Sequence, residues 1–213
     1  MSIQLGEQVG SGKHGVVYLN PNDKSQVVKV VKRPSYKSIE SHVGCVMKEI
    51  ERQNYAARYN IAVPVIRFVV ADDIAYIYMR RLEKTFQQKI DSMLDKCTFD
   101  RHVFTHDLER LTELVVKLDS IGIKDPVVIP ENIMFDSDNK MYLIDFGVED
   151  GRVGMTKYSV VPTTISDLII HISNRIDNQK VLSELSMIKY GGSDKYNIDV
   201  FVNVLEKYKL VNV

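Results

Sequence analysis

A chain of 213 residues with 28 basic and 28 acidic side chains carries no formal net charge, which argues against the broadly basic face that nucleic acid or an anionic membrane surface requires and leaves room only for a local patch. Its 45% apolar and 26% charged residues are those of an ordinary globular protein, long enough for one large domain or two small lobes with a core. Two cysteines, Cys45 and Cys97, stand far apart; a disulfide scaffold would be denser, no CxxC or Cys/His spacing suggests zinc, and both read as reduced thiols in a cytosol-like compartment.

The start, MSIQLGEQ, has neither a basic opening nor an apolar run, so no signal peptide is expected, and no stretch approaches the ~20 apolar residues that span a bilayer. Residues 3–10 and 15–20 read as short strands separated by glycines, and a Pro-Asn-Asp turn leads to a third strand over 26–32. Residues 38–59 have helical spacing, with Val43, Val46, Met47, Ile50 and Tyr55 broadly on one side. A strand hairpin is expected over 63–70 and 74–82. Beyond Glu83 the character changes to helices at 85–96 and 106–121, the second with Leu108, Leu111, Leu114, Val115 and Leu118 on one stripe. A hairpin over 131–147 and three helices at 163–176, 178–188 and 197–209 complete the chain. The fold class is α+β: a five-stranded part with one helix over 1–82, then a mainly helical part over 83–213.

Three constellations carry chemistry. VGSGKHGVV spaces Gly10, Gly12, Gly15 and Val17 as G-x-G-x-x-G-x-V. Glycines let the backbone approach phosphate oxygens and aim N–H groups at them. In a dinucleotide-binding fold the third glycine opens a helix; here a strand follows, which favours a flap over a nucleotide. Taken alone, the same glycines fit an ordinary hairpin turn. Lys29, in the third strand, is suited to hold α and β phosphates if an anion fixes it, and Glu49 in the following helix is placed to do so. Lys32 competes for that role with opposite strand parity; Lys29 is preferred because Val27 and Val31 share its face and can roof a base. Both lysines solvated is the bland alternative. Asp145 in IDFG and Asn132, across the hairpin, are hard oxygen donors suited to Mg²⁺ on a triphosphate. The histidines at 14, 42, 102, 106 and 171 form no metal spacing.

Taken in order from Gly10 to about Leu168, these elements resemble the eukaryotic-type protein kinase fold. GSGKHGVV resembles the glycine-rich loop, Lys29 the strand-three lysine and Glu49 its partner on helix C. In YIYMRRLE, Met79 resembles the gatekeeper, and Arg80 to Leu82 the hinge that hydrogen-bonds adenine. PENI with Asn132 resembles the end of the catalytic loop, and IDFG the metal-binding motif. The resemblance implies a two-lobed, reduced kinase-like fold that binds ATP with Mg²⁺, with a five-stranded N-lobe and a truncated helical C-lobe.

The match breaks in two places. Where such kinases usually read SLGIIHRDLKPEN, this chain reads SIGIKDPVVIPEN. Aligned without a gap, Val127 replaces the catalytic Asp, and losing a positioned base costs about 10²- to 10⁴-fold in rate. Aligned with a two-residue insertion, Asp125 becomes the base; Asp before Pro also serves simply as a turn start. After IDFG the long activation segment is missing, and Asp167 in ISDLII resembles the Asp that anchors the catalytic loop. The size resembles minimal kinases that pathogens turn on host proteins and small viral kinase homologues. That resemblance implies a protein substrate or a regulated protein partner, not nucleic acid or membrane, in the cytoplasm, the host's if the chain is a pathogen's. The expected activity is atypical phosphotransfer to protein, Ser/Thr-kinase-like; the alternative is a pseudokinase, a nucleotide-dependent binding module. A small-molecule kinase of the same fold ranks third.

Overall fold

The structure, a computed structural model, describes residues 3–12, 15–96, 100–123, 128–147, 160–173, 179–185 and 194–207. The chain is α+β and divides into two compact units, Met1–Glu83 with Tyr142–Arg152, and Lys84–Met141 with Val153–Val213. No helix of the described residues is long and apolar enough to cross a membrane.

The first unit contains β1 (Gln8–Gly12), β2 (Gly15–Asn20), β3 (Asp23–Lys32), α1 (Ile39–Ala57), β4 (Val65–Ala71) and β5 (Ile74–Arg80), the strands forming one antiparallel sheet in the order β1-β2-β3-β5-β4. Runs of Val, Ile and Tyr suit a pleated surface, and Asp72, at φ 53°, turns β4 into β5. The first strand starts later than expected: residues 3–7 stay outside it, and a bulge between Gln8 and Gly10 shifts the register. Side-chain alternation gives the sheet two apolar faces. Ala75 and Ile77 pack with Val46 and Ile50 of α1, joined by Val31, Val65, Val70 and Met79. Val28, Val30 and Tyr78 cluster with Tyr18, Ile74 and Tyr76 on the other face, where the Arg67 guanidinium lies 4.0 Å above the Tyr78 ring.

Ser38 caps α1 by accepting from the Ser41 N–H. The buried face of the helix is His42, Val46, Glu49, Ile50, Gln53 and Ala56. This stripe is rotated from the expected apolar one: Tyr55 is 38% exposed and meets Tyr59 edge-on. Apolar counting misplaced the face because three of its buried members are polar and are held by polar contacts. The Gln53 amide donates to the Val63 carbonyl at 2.8 Å and the Met79 sulfur at 3.1 Å, while the Asn54 Oδ1 accepts from the Val65 N–H at 2.8 Å.

The second unit holds β6 (Lys84–Thr85), α2 (Phe86–Asp95), α3 (Arg101–Ser120), a single 3-10 turn (Pro130–Asn132), β7 (Ile133–Phe135), α4 (Val160–Ser173), α5 (Gln179–Leu185) and α6 (Asp194–Lys207). The division between the units falls inside β8 (Met141–Leu143). A Thr85/Gln88 capping box starts α2. α3 begins ahead of the expected His106 because Asp100 accepts from the His102 and Val103 N–H groups. It ends at Gly122, φ 77°, where Gly122 and Ile123 donate back to Asp119 and Leu118 at 3.0 and 3.2 Å. The expected extensions over 174–176, 186–188 and 208–209 lie outside the described residues.

Phe86, Phe104, Phe135 and Phe201 are fully buried, with Phe86 against Phe104 and Phe135 and Phe104 against Phe201, at centroid separations of 6.0, 6.1 and 5.4 Å. Beside them lies a buried ion pair between Lys89 on α2 and Asp107 on α3. Lys89 also donates to the Asn139 Oδ1 at 3.2 Å and stands 4.4 Å from the Phe135 ring centre.

Two stability predictions follow from this packing. Asp107→Ala strands a buried ammonium and is expected to lower unfolding free energy by about 3–5 kcal/mol in denaturant titration; a loss under about 1 kcal/mol would contradict a buried pair. A Cβ on Gly15 would lie 2.6 Å from the Val30 carbonyl oxygen, whereas one on Gly12 meets nothing within 4 Å. Gly15→Ala is therefore expected to destabilise by over 1 kcal/mol and Gly12→Ala by under about 0.5 kcal/mol; equal effects would contradict the close β2–β3 approach.

Candidate functional site

Strand parity puts Lys29 and Val31 on the α1 face of β3, while Lys32 is exposed. The Lys29 ammonium lies 2.6 Å from Glu49 Oε1 and 3.1 Å from Asp145 Oδ1. All three belong to the first unit, although 116 residues separate Lys29 from Asp145. The side chains of Lys29, Glu49 and Asp145 retain 13%, 11% and 29% of their exposure, so Asp145 is the most open. Burial by itself pushes the Lys29 ammonium toward losing its proton; the Glu49 and Asp145 carboxylates outweigh this and hold its pKa above the ordinary lysine value. Lys29 therefore keeps its proton at neutral pH, with both acidic side chains against it.

Two contacts and one buried neighbour deliver Asp145. The Leu143 N–H donates to the Ile61 carbonyl at 2.9 Å, the Arg80 guanidinium lies 5.1 Å above the ring of buried Tyr142, and Phe146 is buried. Asp145 itself adopts φ 64°. A left-handed conformation costs a non-glycine residue roughly 1 kcal/mol or more, and such strain concentrates where geometry must be held. Gly147 backs onto the cluster: a Cβ there would lie 3.6 Å from both Asp145 Oδ1 and Glu49 Oε2.

The glycine motif is the β1–β2 hairpin, with Gly10 opposite Val17 and Gly12 opposite Gly15. Val17 in turn faces Lys29 across the β2–β3 pair, so the hairpin and the lysine share a sheet face. Met79 lies on the same face, its sulfur held by Gln53. Arg80 ends β5, the Arg81 N–H donates to the Ser25 carbonyl at 2.7 Å, and Leu82 is buried. Asn132 belongs to the second unit, closing the 3-10 turn with its N–H on the Ile129 carbonyl at 2.8 Å. Asp167, also in that unit on α4, has its carboxyl pushed upward by burial first and by the Glu131 charge second. Asp125 and Val127 lie outside the described residues, as do residues 13 and 14.

Sequence reasoning missed Gln53, Asn54 and Tyr142. Gln53 follows Glu49 by one helical turn, and that spacing was the available signal. Among the described residues no three His, Cys, Asp or Glu side chains form a ready-made metal cage. Mg²⁺ shared with phosphate needs only one or two carboxylates, and the partly open Asp145 fits that donor chemistry. No protein-family model matches the chain, and no curated protein matches it.

The cluster predicts strong coupling between its members. A double-mutant cycle of Lys29→Met and Glu49→Gln is expected to give an interaction energy of about 1–3 kcal/mol in unfolding experiments. A value near zero would show that the two charges do not support each other.

Proposed function

We propose that the chain binds ATP with Mg²⁺ and acts as a reduced, protein-kinase-like phosphotransferase on a protein substrate. The observation that supports this most is the convergence of Lys29, Glu49 and Asp145 from three separate segments onto one polar cluster. In this reading Lys29, fixed by Glu49, holds the α and β phosphates. Gly10, Gly12 and Gly15 cover them with backbone N–H groups, and Val17, Met79, Arg80 and Leu82 receive the base. Asp145 is the principal metal ligand, and Asn132 keeps the second oxygen role that the resemblance implies. When bound, Mg²⁺ would supply neutralising charge to the phosphates. Asp125 is the proposed base. The cytoplasm is the proposed site of action, as the resemblance implies.

A second reading rests on Val127 standing where a catalytic Asp is expected in the gapless alignment. It makes the protein a pseudokinase whose nucleotide state governs binding to a partner.

Mg²⁺-ATP binding and phosphate transfer measured in parallel separate these readings. The wild type is expected to bind and transfer, Asp145→Ala to lose at least about tenfold in Mg²⁺-ATP affinity, and Asp125→Ala to bind normally while transfer falls by about 10²-fold or more. Binding without transfer in the wild type would select the pseudokinase reading. No binding would overturn both.

A further inference from the structure

Glu49 reaches Lys29 only while α1 stays docked on β3, and two turns before it on the same buried face sits a titratable group that the proposed function leaves unused. The His42 side chain belongs to a residue only 3% exposed. Its ring hydrogen-bonds the backbone of Val31, two residues beyond Lys29 on β3, and its buried Nε2 has no hydrogen-bond partner. The charged surroundings come from two neighbouring segments. Arg33 and Lys37 stand in the β3–α1 connection, and Asp73 in the β4–β5 turn. Asp73 is already engaged by a two-pronged bond from Arg33, at 3.0 and 2.8 Å. Arg33 also donates to the Lys37 carbonyl at 2.5 Å, and the Lys37 ammonium lies 3.5 Å from the Cys45 sulfur. On α1 itself the next charged buried residue is Glu49, committed to Lys29.

We propose that His42 is an acid-sensitive latch: a proton from solvent taken up on Nε2 releases the first turns of α1 from β3 and thereby loosens the Lys29–Glu49 contact. The added N–H would be buried without an acceptor. The new charge would join two cations whose one nearby anion is already engaged by Arg33. Release exposes the ring to water and removes both penalties. Burial is the largest influence holding the His42 pKa below its ordinary value of 6.5; Lys37 and Arg33 act in the same sense, against the Val31 hydrogen bond and Asp73. The released helix therefore binds more protons than the docked one. Docking weakens as pH falls below 6.5 and is indifferent above it, by at most about tenfold per pH unit for one proton. Release of α1 follows from this geometry alone; its effect on nucleotide binding rests on the reading proposed above.

Hydrogen exchange of the full chain tests the latch, with protection corrected for intrinsic rates and referred to β3 and β5. In the wild type, protection of amides in residues 39–49 is expected to fall about tenfold between pH 7.5 and 5.5 relative to the strands. In His42→Asn, which keeps a side-chain donor near Nδ1 but cannot titrate in this range, it is expected to stay constant. Should that variant fold poorly, an NMR titration of the wild-type His42 ring decides, with a midpoint below 6.5 that coincides with the loss of protection. Unchanged wild-type protection, the same loss in His42→Asn, or a ring that titrates without any change in protection would overturn the proposal. Mg²⁺-ATP affinity measured at both pH values keeps the two ideas apart. An acid-weakened affinity in the wild type alone supports both. No binding at either pH removes the nucleotide reading and leaves the exchange result to judge the latch.

Discussion

A lysine ammonium that is mostly withdrawn from water, with two carboxylates against it, organises the first unit. One cation between two anions leaves a local surplus of negative charge. Such a surplus is costly in a partly buried place unless water or another cation meets it. Glu49 is the more enclosed carboxylate and Asp145 the more open. The arrangement thus has an inner half that fixes the lysine and an outer half able to accept a further positive charge. That asymmetry is what the proposed function uses.

The cluster makes sense of features that look unrelated along the chain. α1 carries Glu49 and is itself positioned by polar side chains on its buried face: Gln53 on Val63 and Met79, and His42 on the Val31 backbone. A helix docked only by aliphatic contacts can slide or rotate with small penalties, whereas directional bonds fix its rotation and its register. At the other side, Asp145 holds an uncommon backbone conformation, and the Leu143–Ile61 hydrogen bond and the Arg80–Tyr142 stacking keep the segment before it in place.

Much of the local structure was legible in the sequence because it rests on short-range rules. β2 occupies 15–20 as expected, and β3, β4 and β5 fall within a few residues of their expected spans. The Lys29 and Glu49 pairing could be anticipated from strand parity and helical spacing. What was hidden is long-range and polar. Apolar periodicity cannot foresee that Gln53 and His42 turn inward, because their burial depends on partners in other elements. It likewise gave no sign that Lys89 and Asp107 meet inside the second unit. Asp100, an ordinary polar residue in sequence, starts α3 ahead of its apolar stripe by accepting two backbone N–H groups. Ordered motifs carry the rest of the functional reading, and they bring Asp145 into consideration through the chemistry of its carboxylate, not through any pattern of hydrophobicity.

The central claim, that the Lys29 cluster grips the phosphates of a magnesium nucleotide, is tested most directly by side-chain nitrogen NMR of Lys29. Titration with Mg²⁺-ATP should shift the Lys29 ammonium resonance in a saturable way, and adenosine with Mg²⁺, which carries no phosphate, should leave it nearly unmoved. A Lys29 resonance indifferent to Mg²⁺-ATP while other signals respond would contradict the account.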